Sequence, residues 1–154
     1  MGLEIERKFL VDGDAYQALA EGIHVQQGYL EGSENTSVRI RIMGEEAFLA
    51  IKGTTISATR QEFEYPIPLD DAREMMRDLC KKPIIDKHRY IIKYKGSVWE
   101  VDEFHGMNEG LVIAEIELES EEQKIHKPDW IGDEVTDEPK YFNVNLVKHP
   151  FISW

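Results

Sequence analysis

Glu4, Glu6 and Lys8 stand at alternate positions in the stretch Glu4-Ile5-Glu6-Arg7-Lys8-Phe9-Leu10-Val11. Successive side chains of a β-strand point to opposite faces. In a strand these three residues share one face, while Leu3, Ile5, Phe9 and Val11 share the other, with Arg7 as the exception. Two carboxylates and an ammonium so spaced can form a solvated surface. They can also form one wall of a site for metal and phosphate, because carboxylates suit hard divalent cations and lysine suits phosphate as a point charge.

The same alternation returns strand after strand. The acids that share a phase opposite the apolar residues are Glu4, Glu6, Glu62, Glu64, Glu100, Asp102, Glu115, Glu117 and Glu119. The bases are Lys8, Arg39, Arg41, Lys52, Arg60, Lys87 and Arg89. Antiparallel sheets often keep one face wet, and mixed charges on a wet face aid solubility. Eight strands, however, tend to curl or close, and closure with the charged phase inside creates a lumen that needs an occupant. Arginine offers phosphate a planar fork, and clustered carboxylates suit Mg²⁺ or Mn²⁺. Two such ions would turn the local charge of −2 into +2, admitting a polyphosphate.

The elements that would position these residues follow from periodicity. Strands are expected at Glu4–Val11, about 25–31, Thr36–Met43, Ala47–Gly53, Arg60–Pro66, Ile84–Lys95, Val98–Phe104 and Leu111–Glu119. Their short turns make them mostly antiparallel. A short helix capped by Asp14 is expected through about Glu21, with Tyr16, Ala18 and Leu19 as its apolar side. The clearest helix is Leu69–Cys80, with Asp70 or Asp71 as N-cap. Pro66 and Pro68 end the preceding strand. Trp130-Ile131-Gly132 reads as an aromatic-rich loop, and a last helix is expected at about 140–147. The fold class is α+β, dominated by β, in one domain spanning residues 1–154.

The net charge of −12 argues against nucleic acid or an anionic membrane as main partner. There is no apolar run long enough to span a bilayer and no signal-peptide pattern. Glu6 stands where a myristoylation motif wants Ser or Thr. The single cysteine, Cys80, excludes an internal disulfide, which suits the cytoplasm. Cys80, Met75 and Met76 fall in a helical apolar stripe and read as packing. The five histidines show no ligand spacing, and His88 reads as structural or surface because it opposes Lys87 and Arg89 in phase. Walker, HExxH and GxSxG motifs are missing.

Glu4-Ile5-Glu6-Arg7-Lys8 resembles the ExExK motif of the CYTH superfamily, the triphosphate tunnel metalloenzymes. The resemblance continues through Gln27-Gly28-Tyr29-Leu30, Val38-Arg39-Ile40-Arg41, Leu49-Ala50-Ile51-Lys52-Gly53, Arg60-Gln61-Glu62-Phe63-Glu64, Lys87-His88-Arg89, Trp99-Glu100-Val101-Asp102 and Ala114-Glu115-Ile116-Glu117. It ends on Gly132-Asp133-Glu134-Val135-Thr136 and Tyr141-Phe142-Asn143, as in short bacterial members. The resemblance implies an eight-stranded antiparallel closed β-barrel, a tunnel with a charged lumen and a few flanking helices. It implies Glu4, Glu6, Asp102, Glu115 and Glu117 as metal ligands, and Arg39, Arg41, Lys52, Lys87 and Arg89 as a triphosphate cradle. Lys8 is the implied catalytic lysine and Tyr29 its partner. Arg60, Glu62, Glu64, Glu100 and Glu119 are further candidates, and Lys140 or Lys148 could add a cradle lysine from the last helix.

The implied activity is divalent-metal-dependent hydrolysis of a triphosphate with Mg²⁺ or Mn²⁺, two ions per site. Inorganic triphosphate is the simplest substrate, because the motifs reveal no base-recognition pocket. The alternatives are an adenylate cyclase in the same tunnel, a thiamine triphosphatase, and a non-catalytic polyphosphate-binding module. Outward apolar strand faces leave room for a homodimer.

Overall fold

The alternation closes into a ring in the computed structural model, which describes residues 2–154. The strands are β1 (Leu3–Val11), β2 (Ile23–Leu30), β3 (Ser37–Met43), β4 (Glu46–Lys52), β5 (Thr59–Ile67), β6 (Ile85–Tyr94), β7 (Ser97–Phe104) and β8 (Val112–Glu117). Around the ring they run β1, β5, β4, β3, β2, β6, β7, β8 and back to β1. Every pairing is antiparallel. Closure removes the free edges that an open sheet would carry.

A ninth strand, β9 (Ile131–Glu134), corrects the expected loop around Trp130. At four residues it is too short to show a period of two, and it exists because β1 divides one edge between two partners. Leu3, Glu4 and Ile5 face Gln61, Arg60 and Thr59 of β5, while Phe9 and Val11 face Glu134 and Ile131 of β9. Arg7, the exception on the apolar face, forks onto Glu134 at 2.9 and 2.6 Å and so fastens β9 to β1.

The helices are shorter than their patterns suggest. The segment after Asp14 makes a single 3-10 turn, Ala15–Ala18, without a side-chain cap from Asp14. Of its expected apolar side only Tyr16 is buried, and Leu19 is exposed. The first α-helix, α1, spans Leu69–Asp78 with Pro68 at the N-cap. Asp70 and Asp71 lie in its first turn, where they favour the positive end of the helix dipole. Pro66 does not end β5, which continues to Ile67. There β5 has run past its pairing with β1, an edge position where proline's missing N–H is tolerated. The last expected helix divides into a 3-10 turn, Pro139–Tyr141, and α2, Asn143–Lys148.

Three apolar clusters pack this frame. On the outside, Phe9, Trp99, Val101 and Ile116 are covered by Tyr16 and Trp130. Also outside, Ile40, Ile42 and Ala47 are covered by Ala72 and Met76 of α1 and by Cys80. Gly28 makes that second contact possible, since a Cβ there would lie 2.7 Å from Cys80 Sγ. The third cluster lies within one end of the ring. There the inward phase turns apolar at Tyr29, Ile85, Phe104 and Ile113, and Leu146 and Val147 of α2 pack into it. The helix α2 thus stoppers the tunnel at that end. No helix among the described residues is long and apolar enough to cross a membrane.

Candidate active site

The charged phase of the strands lines a cavity of about 180 Å³ inside the ring. Its wall carries seven carboxylates (Glu4, Glu6, Glu62, Glu64, Glu100, Glu115, Glu117) and seven cations (Lys8, Arg39, Arg41, Lys52, Arg60, Lys87, Arg89). The ring sorts them by sign. The arc β4–β3–β2–β6 carries Lys52, Arg39, Arg41, Lys87 and Arg89, with neutral Gln27 and Tyr29 on β2. The arc β7–β8–β1 carries Glu100, Glu115, Glu117, Glu4 and Glu6, with Lys8 set among them. β5 holds both signs. A period of two places each of these side chains inward, and closure brings the two arcs face to face.

Each cation finds a carboxylate. Lys8 Nζ donates to Glu115 at 2.8 Å and lies 3.3 Å from Glu6. Lys52 meets Glu62 at 2.7 Å and Glu4 at 3.3 Å, and Arg60 donates to Glu4 at 3.1 Å. Arg39 and Arg41 both donate to Glu64, at 2.9 and 3.0 Å. Pairing does not exhaust the donors: among the described residues the buried Nε atoms of Arg39 and Arg41 have no partner, and neither has the buried Oε1 of Gln27.

Asp102 departs from its implied place. It is fully buried and does not line the cavity. Its oxygens accept from Lys87 at 2.7 Å and from Arg89 at 2.7 and 2.9 Å. It therefore pairs with Lys87 and Arg89 from behind the cavity wall. Glu119 lies beyond the end of β8, exposed and outside this cavity. Lys140 also points elsewhere, stacking 4.6 Å over the Trp154 ring, and Lys148 does not line the cavity. Asn143, unmarked by any periodicity, lines the site and accepts from Lys87 at 3.2 Å. Thr136 also lines it, accepting from the Lys8 backbone N–H at 3.0 Å. Gln27 shares the inward phase of Tyr29, so period-two counting alone could have marked it.

The acidic arc is electrostatically strained. Glu6 lies directly opposite Glu117, and Glu100 opposite Glu115; like charges so opposed destabilise a sheet. Burial, with Glu115 and Glu4 nearby, pushes Glu6 up to about 7 despite Lys8. Burial and Glu4 raise Glu117, and burial and Glu115 raise Glu100. Burial would also raise Glu115, but Lys8, Arg89 and Lys87 outweigh it and hold it well below the usual range. On the opposite arc burial wins at Lys87, pulled down to about 8 even beside Asp102. Burial raises Tyr29. Among the described residues no three Asp, Glu, His or Cys groups converge as a ready metal cluster. A hard cation at this wall would therefore complete its shell with water and substrate oxygen, as Mg²⁺ commonly does.

The histidines stay outside. His88 points away from the lumen with its Nδ1 2.8 Å from His105 Nε2, and His24 faces Asp86 at 3.1 Å.

A closed antiparallel ring whose lumen sets carboxylates against arginines and lysines defines a tunnel-site protein. The CYTH domain model matches residues 2–150, and the chain belongs to that family. It is 52% identical over 151 residues to an inorganic triphosphatase of Acetivibrio thermocellus, covering 98% of this chain and 97% of that one. It is 34% identical to an inorganic triphosphatase of Nitrosomonas europaea, covering 93% and 95%. Among solved structures, one of an inorganic triphosphatase superposes with a TM-score of 0.64 at 32% identity, covering 94% of this chain and 93% of that one.

Proposed function

We propose that this chain hydrolyses inorganic triphosphate to pyrophosphate and phosphate with the help of a divalent cation. The observation that carries the reading is the sorting of charge into two facing arcs: one suits phosphate oxygens, the other suits a metal. The names of the relatives, at 52% and 34% identity over almost the whole chain, support the same substrate.

Glu6 and Glu117, directly opposed on β1 and β8, would hold the cation, with Glu4 and Glu115 beside them. Their fit rests on the raised affinity of Glu6 and Glu117 for protons, a strain that a divalent ion relieves. Bound Mg²⁺ or Mn²⁺, two ions by charge, supplies neutralisation of phosphate and acidification of a water. The formal charge of the wall is zero, so two ions would make it +4 for a polyanion. Arg39, Arg41, Lys52, Lys87 and Arg89 hold the substrate, the buried Nε groups of Arg39 and Arg41 having no partner among the described residues. Burial disfavours the charged form of Lys8, but Glu115 and Glu6 overcome it, so the lysine stays cationic. It serves as a fixed electrostatic group toward the attacked phosphate, with Tyr29 beside it. Water adds to the terminal phosphorus, the bridging P–O bond breaks, and pyrophosphate leaves. The catalytic power lies in positioning and electrostatics.

The deciding experiment offers inorganic triphosphate, ATP and thiamine triphosphate with Mg²⁺, Mn²⁺ or EDTA, and follows phosphate and cyclic AMP. Phosphate released chiefly from triphosphate, abolished by EDTA, is the expected result. In Lys8→Ala the rate should fall by roughly 10²-fold or more, with the fold intact by circular dichroism. Cyclic AMP from ATP would make the protein a cyclase, and binding without turnover would make it a polyphosphate receptor.

We read the chain as one domain acting in the cytoplasm, consistent with its single, unpaired Cys80. The exposed side chains Leu3, Ile51, Phe63 and Tyr65 on the outer face of β1, β4 and β5 are compatible with a homodimer.

A further inference from the structure

Gln27 is the neutral amide of the cationic arc and has no role in the reading above. It is 1% exposed and lines the cavity from β2, directly across from Arg41 on β3. Its Nε2 lies 3.4 Å from Tyr29 Oη, a weak contact, and its Oε1 has no partner among the described residues. A buried amide with one end unpaired is costly, and the cost persists until a partner arrives. An apolar residue of the same length would have filled the space without that cost.

From this geometry we infer that the Gln27 amide is a substrate contact that also sets the direction of the Tyr29 hydroxyl. The identity of the ligand rests on the triphosphatase reading. The two ends of an amide differ in chemistry: oxygen accepts and nitrogen donates. As placed, the buried oxygen has no partner among the described residues, and an anionic ligand can offer it no proton. Turned over about χ3, the amide satisfies both ends. Tyr29 Oη–H donates to Oε1, and Nε2–H donates to a non-bridging phosphate oxygen. Substrate binding thus selects the turned amide, and the phenol becomes a committed donor to Gln27. A neutral donor here holds the anion without adding a positive charge beside Arg39 and Arg41, where burial and the Arg39 charge already lower Arg41.

Two variants separate a substrate contact from a structural prop. Gln27→Met keeps the length and removes both polar atoms. Gln27→Glu keeps an acceptor for Tyr29 and removes the donor to phosphate. Binding of inorganic triphosphate is measured by titration calorimetry in EDTA, and KM and kcat are measured with saturating Mg²⁺; where binding requires the metal, KM carries the comparison. Gln27→Met should bind about tenfold more weakly, the worth of a hydrogen bond to a charged group, and Gln27→Glu more weakly still. Thermal melting establishes that each variant is folded, and either folded variant suffices. Wild-type affinity in Gln27→Met, or in Gln27→Glu, overturns the inference, since the amide would then be only a prop for Tyr29. Binding by the wild type without phosphate release would defeat the triphosphatase reading while the affinity ratios still decide Gln27. A wild type that neither binds nor turns over triphosphate would defeat both.

Discussion

Glu6 shows how a single carboxyl reports on the whole site. Its proton affinity, raised to about 7 from the ordinary 4.5, means that protons and divalent cations compete for it near neutrality. The Mg²⁺ concentration giving half-maximal rate should therefore fall as pH rises from 6 to 8, and the slower residual rate of Glu6→Gln should lose that dependence. Stability carries the opposite sign. Between about 4.5 and 7 the folded, metal-free chain holds a proton that the unfolded chain has released, so this group's contribution to stability declines as pH rises through that window. Melting curves in EDTA at pH 5 and pH 8 test this, with Glu6→Gln as the flattened control. Asp102 makes a second prediction. Its truncation to alanine leaves buried Lys87 with only the Asn143 amide and Arg89 with only Glu100, a loss of roughly 3–5 kcal/mol, or about 10 °C in melting temperature. At this scale the sequence was informative about which residues turn inward, because strand alternation is strict. It was silent on depth: Asp102 shares its phase with the lining residue Glu100 and yet lies behind the wall. Phase gives a face, whereas pairing with Lys87 and Arg89 decides whether a carboxylate reaches the lumen.

Elements are fixed here by contacts at a few positions. Gly28 on β2 and Cys80 after α1 touch so closely that Gly28→Ala should cost about 1–3 kcal/mol by overpacking. Urea titration of Gly28→Ala, Cys80→Ala and the double variant should show the costs to be non-additive. Arg7→Ala removes the fork that fastens β9 to β1, worth about 1 kcal/mol at a half-exposed position. Hydrogen exchange should quicken at Val135, whose N–H is held by the Lys8 carbonyl. The longer strands and α1 were legible within a residue or two, since each repeats its pattern several times. β9 and the turn at Ala15–Ala18 were not, because one turn or four residues cannot display a period. They are held by what lies beside them, which no local pattern records.

The molecule as a whole is acidic, with net charge −12, while its cavity wall is formally neutral. A free polyanion approaching this surface meets repulsion before it meets the cradle. Association of metal-free triphosphate, followed by stopped flow, should therefore quicken as monovalent salt is raised from 10 to about 150 mM, the reverse of what a basic binding surface shows. The ring is sealed by β1, whose partners on one side are β8 and, for its second half on the other, β9. β1 ends at Val11 and β8 begins at Val112, so the ribosome makes the sealing strand about a hundred residues before the strand it must seal against. Such distant pairings form slowly. Until they do, Glu4 and Glu6 have no Glu115 or Glu117 across from them and Lys8 has no counter-ion from β8. A nascent chain accordingly carries no opposed carboxylates that could trap metal prematurely: the metal-suited wall and the closed ring arrive together.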